Sequence, residues 1–190
     1  MINSFKRDMP SSPSILIILM GSLGDVARGL CLVSHIKQHL PHSRVNWLVD
    51  SKWSELVKLH GQIDRIIVFE RAWRLSAIRQ LYQALQRDRY DIVLDLQRIF
   101  KSGFFSLLSG GVRRIGFQRR NAKEFNWIFN NDHIGYFSDD LPKIQHYLKF
   151  TEHLGLPAPK ALEFGFSALE IERTTPRIIA ELEQAFAAVV

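Results

Sequence analysis

The stretch Ser14-Ile-Leu-Ile-Ile-Leu-Met20, followed by Gly21-Ser-Leu-Gly-Asp25 and then Val26 to Leu40, decides how this chain folds. An unbroken apolar run of this length, rich in isoleucine, suits a central parallel strand covered on both faces. The two glycines make a tight turn. Beyond it Leu30, Val33, Ile36 and Leu40 mark a helical stripe, which Pro41 ends.

The same alternation continues outward. Arg44–Val49, Arg65–Phe69, Asp91–Leu96 and Val112–Phe117 read as further strands. Lys52–His60, Leu75–Arg87 and Phe100–Leu108 read as the helices between them, and Leu141–Leu154 as a later one. Residues 118–132 read as a long basic loop, and the tail from Arg173 to Val190 as one more helix. Strand and helix at this spacing predict an α/β fold: a Rossmann-like parallel sheet with helices on both faces. Residues 1–13, with Pro10 and Pro13, read as a loose leader before a domain over 14–172.

Composition narrows the function. The 190 residues are 46% hydrophobic and 23% charged, which excludes disordered and low-complexity scaffolds. The single Cys31 excludes a disulfide framework and a multi-cysteine metal site. No apolar run approaches the ~20 residues of a spanning helix. Lys6 and Arg7 before an apolar stretch imitate a signal peptide, but Asp25 and Arg28 interrupt it and no cleavage signal follows. The net charge of +6 favours an anionic partner.

Three constellations could carry chemistry. The Gly21–Asp25 turn lies at the carboxyl end of the first strand, where open α/β sheets bind ligands. It fits neither a Walker A loop nor a dinucleotide fingerprint. Asp25 there would repel a phosphate, so it suits a general base toward a hydroxyl. Alternatively, Asp25 simply N-caps the helix. The segment Gln97–Lys123 carries seven basic and no acidic residues. It reads as an anion-binding surface or as a solvated basic face. Arg71-Ala-Trp-Arg74 could grip an anion, or could pack with its arginines snorkelling. His35 and His39 have i, i+4 spacing but no third ligand, which favours a surface role over a metal. The aromatics form no stacking platform for nucleic acid.

These stretches together resemble the amino-terminal half of the heptosyltransferases, glycosyltransferase family 9. The resemblance rests on the Ile15–Val26 stretch, Val45-Asn-Trp-Leu-Val49, Tyr90-Asp-Ile-Val-Leu-Asp-Leu-Gln97 with Lys101-Ser102, Arg114-Ile-Gly-Phe117, Asn121-Ala-Lys-Glu124 and Phe129-Asn-Asn131. It implies the first domain of a two-domain GT-B enzyme, binding the acceptor, with residues 173–190 leading toward a donor domain. It implies inverting transfer of heptose from ADP-heptose to an anionic lipopolysaccharide inner core, with Asp25 as base and no cofactor or metal. By the same resemblance Arg71, Arg74, Lys101 and Lys123 bind the acceptor; Ser22 and Gln97 are expected to join them, and Arg119 and Arg120, on a loop at the same sheet edge as the Asp25 turn, to form a mouth with Lys123. The implied setting is cytoplasmic, with peripheral contact at the inner-membrane surface and no nucleic acid. The 190 residues alone are expected to be inactive. The competing class is a non-enzymatic basic module, or a decayed relic, binding anionic lipid or nucleic acid. Four positions depart from the family pattern. Leu19 replaces a basic residue, Arg28-Gly-Leu-Cys31 replaces His-Thr-Leu-Pro, Arg98 replaces the glycine of Asp-x-Gln-Gly, and Pro142 replaces the histidine of His-x-Val-x-Arg-Tyr.

Overall fold

A computed structural model describes residues 10–70 and 74–166. The tail helix expected over 173–190 and the segment 71–73, which includes Arg71, lie outside the described residues. Six strands form one parallel sheet: β1 (Ser14–Ile18), β2 (Arg44–Asp50), β3 (Arg65–Phe69), β4 (Ile92–Asp95), β5 (Arg113–Phe117) and β6 (Asp132–Ile134). Five α-helices accompany them: α1 (Leu23–His39), α2 (Ser54–Lys58), α3 (Leu75–Leu85), α4 (Phe100–Leu108) and α5 (Lys143–His153). The strand order is β3-β2-β1-β4-β5-β6. No helix among the described residues is long and apolar enough to cross a membrane.

The continuous apolar run of β1 has the consequence expected of it. Ile15, Ile17 and Leu19 join one buried cluster with Val26, Leu30 and Val33 of α1 and Phe150 of α5. Leu16, Ile18 and Met20 point the other way, into a second cluster with Leu81 and Leu85 of α3 and Phe105 of α4. Both faces of the strand are therefore covered, and after Ser14 at its start every residue of it is apolar. Each such Ile or Leu contributes about 1.5–3 kcal/mol by leaving water. Helix α1 lies close on the sheet at Gly29, where a Cβ would come within 2.6 Å of Leu19 and 3.1 Å of Trp47. Trp47 is fully buried and satisfies its indole N–H on the Leu19 carbonyl at 3.0 Å.

Chain order reverses between β1 and β4. From β1 the chain moves outward through β2 and β3. It then crosses back to β4 on the other side of β1. The carboxyl ends of β1 and β4 thus flank a topological switch point, the place where ligands enter such sheets.

The region 118–132, expected as a plain loop, differs. It contains a 3-10 turn at Asn126–Phe129 and leads into β6, which pairs with β5. Asparagine amides hold it in place. Asn126 and Asn130 donate to the buried Asp95 carboxylate at 2.6 and 3.2 Å, and Asn130 accepts from Ser106 at 2.7 Å. Asn131 bonds the backbone of Arg114 and Val112. Asn121 bonds both the carbonyl and the N–H of Phe137. Burial pushes the Asp95 carboxyl up, while hydrogen bonds from Asn126, Ser102, Asn130 and the Gln97 N–H pull it down.

Candidate active site

Helix α1 begins at Leu23, three residues before Val26, where the sequence pattern starts it. Ser22 is its N-cap and Asp25 sits at the third helical position. The reading of Asp25 as the cap itself is thereby corrected. The carbonyl of Ser22 starts the helix by accepting from Val26 N–H at 2.9 Å. Its hydroxyl turns to Asp25 instead, donating to Oδ2 at 3.2 Å. A carboxylate in the first turn of a helix also lies favourably in the helix dipole.

Two further groups fix this carboxylate. Arg28 Nη1 stands 3.7 Å from Asp25 Oδ1, one turn along the helix. From α5, Tyr147 hydrogen-bonds Asp25; burial first, and then the Asp25 charge and hydrogen bond, push its phenol far above the ordinary value. Tyr147 is therefore a neutral donor at every physiological pH. Asp25 remains 31% exposed, so a ligand can reach it.

Gln97, just past β4, locks the turn from across the switch point. Its Oε1 accepts from Met20 N–H at 2.6 Å and its Nε2 donates to the Gly21 carbonyl at 2.9 Å. With both ends of the amide engaged, Gln97 positions the turn rather than standing free for a ligand.

A cleft of about 100 Å³ opens here, lined among others by Asp25, Gln97, Arg98, Lys143, His146 and Tyr147. That is smaller than the ~300–1,000 Å³ of a whole small-molecule pocket. It has room for only one part of a ligand.

Arg98 is the least expected lining residue. Its φ of 66° lies in the left-handed region that glycine favours. Glycine, which the resembled family pattern has at this point, would adopt it without a Cβ penalty. The side chain is only 8% exposed and pairs with Asp139 at 2.8 Å. Its second nitrogen lies 3.3 Å from His146 Nδ1, and the guanidinium covers the Phe117 ring at 4.6 Å.

The other expected binding residues do not gather at the cleft. Ser22 is at the turn, but exposed. Arg74 is exposed at the start of α3, and Lys101 lies 4.7 Å over the Phe69 ring. Arg119 covers Trp127 at 5.6 Å and Arg120 covers Tyr136 at 5.7 Å, outside the lining. Lys123 is exposed and donates its backbone N–H to the Arg98 carbonyl at 2.8 Å. The basic segment is not one face. Arg98 is buried, Arg113 pairs with Asp132 at 2.5 Å, and Arg114 bonds the carbonyls of Phe129 and Gly111.

Sequence reasoning missed Arg98, Lys143, His146 and Tyr147 as lining residues. The last three recur at i, i+3 and i+4 on α5, and that spacing is the signal that could have found them. The surface reading of His35 is also corrected: His35 is buried in α1, its ring 4.6 Å from that of His39. Among the described residues no His, Cys, Asp and Glu side chains cluster as a metal site.

The fold recurs in known proteins. In solved structures the fold recurs in Escherichia coli heptosyltransferase WaaC, solved with ADP-2-deoxy-2-fluoro heptose. The TM-score is 0.72 at 22% identity over 80% of this chain and 51% of that one. It recurs in E. coli ADP-heptose lps heptosyltransferase II with a TM-score of 0.65 at 19% identity, over 87% and 50% of the two chains. By sequence the chain is 26% identical to the lipopolysaccharide core heptosyltransferase OpsX of Haemophilus influenzae, over 76% of this chain and 41% of that protein. It is 28% identical to lipopolysaccharide heptosyltransferase 1 of E. coli, over 74% and 46%. The chain thus spans about half the length of the curated relatives it matches. The family model of glycosyltransferase family 9 (heptosyltransferase) matches residues 78–180, and the chain belongs to that family.

Proposed function

We propose that this α/β unit is the acceptor-binding half of a lipopolysaccharide heptosyltransferase and that Asp25 is its catalytic base. The observation that carries the reading is the Asp25 carboxylate itself. It is half-exposed at the switch-point cleft and aimed by Ser22 and Tyr147, on a turn that Gln97 clamps. In the reaction an acceptor hydroxyl oxygen attacks the anomeric carbon of ADP-heptose. Its proton passes to Asp25, the bond to the diphosphate breaks, and ADP leaves with inversion. A base placed in this way contributes ~10²–10⁴-fold. The domain over 14–172 holds the acceptor in this reading, and the nucleotide sugar belongs to the second half of the GT-B architecture.

A lipid-linked acceptor would bring the protein to the cytoplasmic face of the inner membrane. The outer loop suits that contact. Phe125 is 72% exposed, and Ile128 and Phe100 are exposed near it, with the basic Arg119, Arg120 and Lys123 in the same region. The alternative of a basic module that grips a polyanion along 97–123 loses support from the engaged Arg113 and Arg114.

The test is transfer by the full-length protein, followed as ADP release from ADP-heptose with deacylated lipopolysaccharide core. Release that depends on the core supports the reading. No release above a core-free control contradicts it.

A further inference from the structure

We propose that the Arg98 guanidinium is the seat for an oxyanion of the acceptor, a carboxylate or a phosphate, and that Asp139 occupies this seat in the free protein. The proposal rests on the acceptor reading above and assigns the recognition of charge to one side chain.

Arg98 combines features that do not belong to a surface arginine. Its backbone has φ 66°, a region that disfavours every side chain but glycine. An outlier of this kind is a reason to look for function. Its charge is more than nine-tenths buried, held over Phe117 at 4.6 Å and Phe137 at 5.3 Å. The neighbouring His146 is not an anion. Arginine has no acceptor, so the 3.3 Å contact between Nη2 and His146 Nδ1 requires a lone pair on that nitrogen. Burial, then Arg98 and Lys143, lower the His146 pKa, which agrees.

The counter-charge is therefore Asp139. It meets Arg98 through one hydrogen bond, Nη1 to Oδ1 at 2.8 Å, and its side chain is 63% exposed. A guanidinium offers two parallel N–H groups to a carboxylate or phosphate, and a one-bond partner leaves that capacity unused. Asp139 can move into water at little cost, whereas the buried cation must keep an anion. A ligand oxyanion that displaces it would sit in the same cleft as Asp25, with Lys143 beside it. Binding there would hold the acceptor by its charge while a hydroxyl is presented to the base.

The experiment is calorimetric titration of the full chain with deacylated lipopolysaccharide core, carboxyl-reduced core and dephosphorylated core. The proteins are wild type, Arg98→Gly, Arg98→Lys and Asp139→Asn, each checked for folding by its thermal midpoint. Glycine suits the backbone at 98, so Arg98→Gly removes the side chain without opposing the fold. Arg98→Gly should bind intact core at least ~30-fold more weakly, as loss of a buried charge partner does. Arg98→Lys, which keeps charge but loses the fork, should fall between. Asp139→Asn should bind ~3–10-fold more tightly, because the seat is no longer occupied. If the Arg98→Gly deficit vanishes with carboxyl-reduced core, the group read is the carboxylate. If it vanishes with dephosphorylated core, it is the phosphate. Arg98→Gly binding intact core like wild type, or Asp139→Asn binding it more weakly than wild type, overturns the seat alone. Wild type without affinity for any of the three cores overturns the acceptor reading on which the seat depends.

Discussion

Two carboxylates stand near the carboxyl edge of the sheet on either side of the switch point, and they have opposite fates. Asp25 follows β1, stays 31% exposed and faces a cleft. Asp95 ends β4, is fully buried and receives Asn126 and Asn130. Both lie in stretches that carry the family resemblance. The sequence marks only Asp25, by its glycine turn, and burial separates the two further: a spent carboxylate holds structure, an open one can take a proton.

The comparison can be broken first at its structural side. Asp95→Ala strips two buried amides of their acceptor and should cost about 3 kcal/mol or more, read as a fall in denaturation midpoint. An Asp95→Ala protein as stable as wild type would mean that the asparagine cluster does not hold the outer region. On the open side, Tyr147→Phe removes one hydrogen bond from Asp25. It should lower turnover of the full-length protein about tenfold with little change in acceptor KM. An unchanged turnover would leave Tyr147 as packing.

Acidification sharpens the contrast through other groups. Burial lowers His60 from 6.5 to about 4, so the unfolded chain binds its proton first. That stability is present above pH 6.5 and is lost as pH falls toward 4. His35 and His146 are shifted in the same direction. Burial alone would raise Asp132, but hydrogen bonds from His153 and Arg113 outweigh it and hold it at about 2. Its contribution is lost only between about pH 4 and 2. The thermal midpoint should therefore decline below pH 6.5, and His60→Asn should flatten that decline. A midpoint independent of pH from 7 to 4.5 would contradict the assignment. The smallest effect belongs to Ser22→Ala. Its hydroxyl serves Asp25 rather than a helix N–H, so stability should fall by less than about 1 kcal/mol.

The core of the fold was legible because β1 is apolar on both faces and its turn is glycine-marked. Only a doubly covered parallel strand requires that pattern. β6 was not legible. Of Asp132-His133-Ile134 only Ile134 is buried, too little for a strand signal. The start of α1 was read three residues late, since Leu23 and Gly24 show no apolar periodicity although Ser22 already caps them. Asp25 was found because its residue type is odd beside glycines at a sheet edge. Arg98 was counted as one charge among seven. Its burial depends on Phe117, Phe137 and His146, which only the tertiary fold brings to it.

The central claim is that Asp25 acts as a base, and one substitution isolates it. Asn can occupy the same helical position and accept the Ser22 and Tyr147 hydrogen bonds, but it cannot take up a proton at neutral pH. Turnover of full-length Asp25→Asn at saturating ADP-heptose and core, measured beside its thermal midpoint, should fall ~10²-fold or more with the midpoint nearly unchanged. Turnover like that of wild type would contradict the claim.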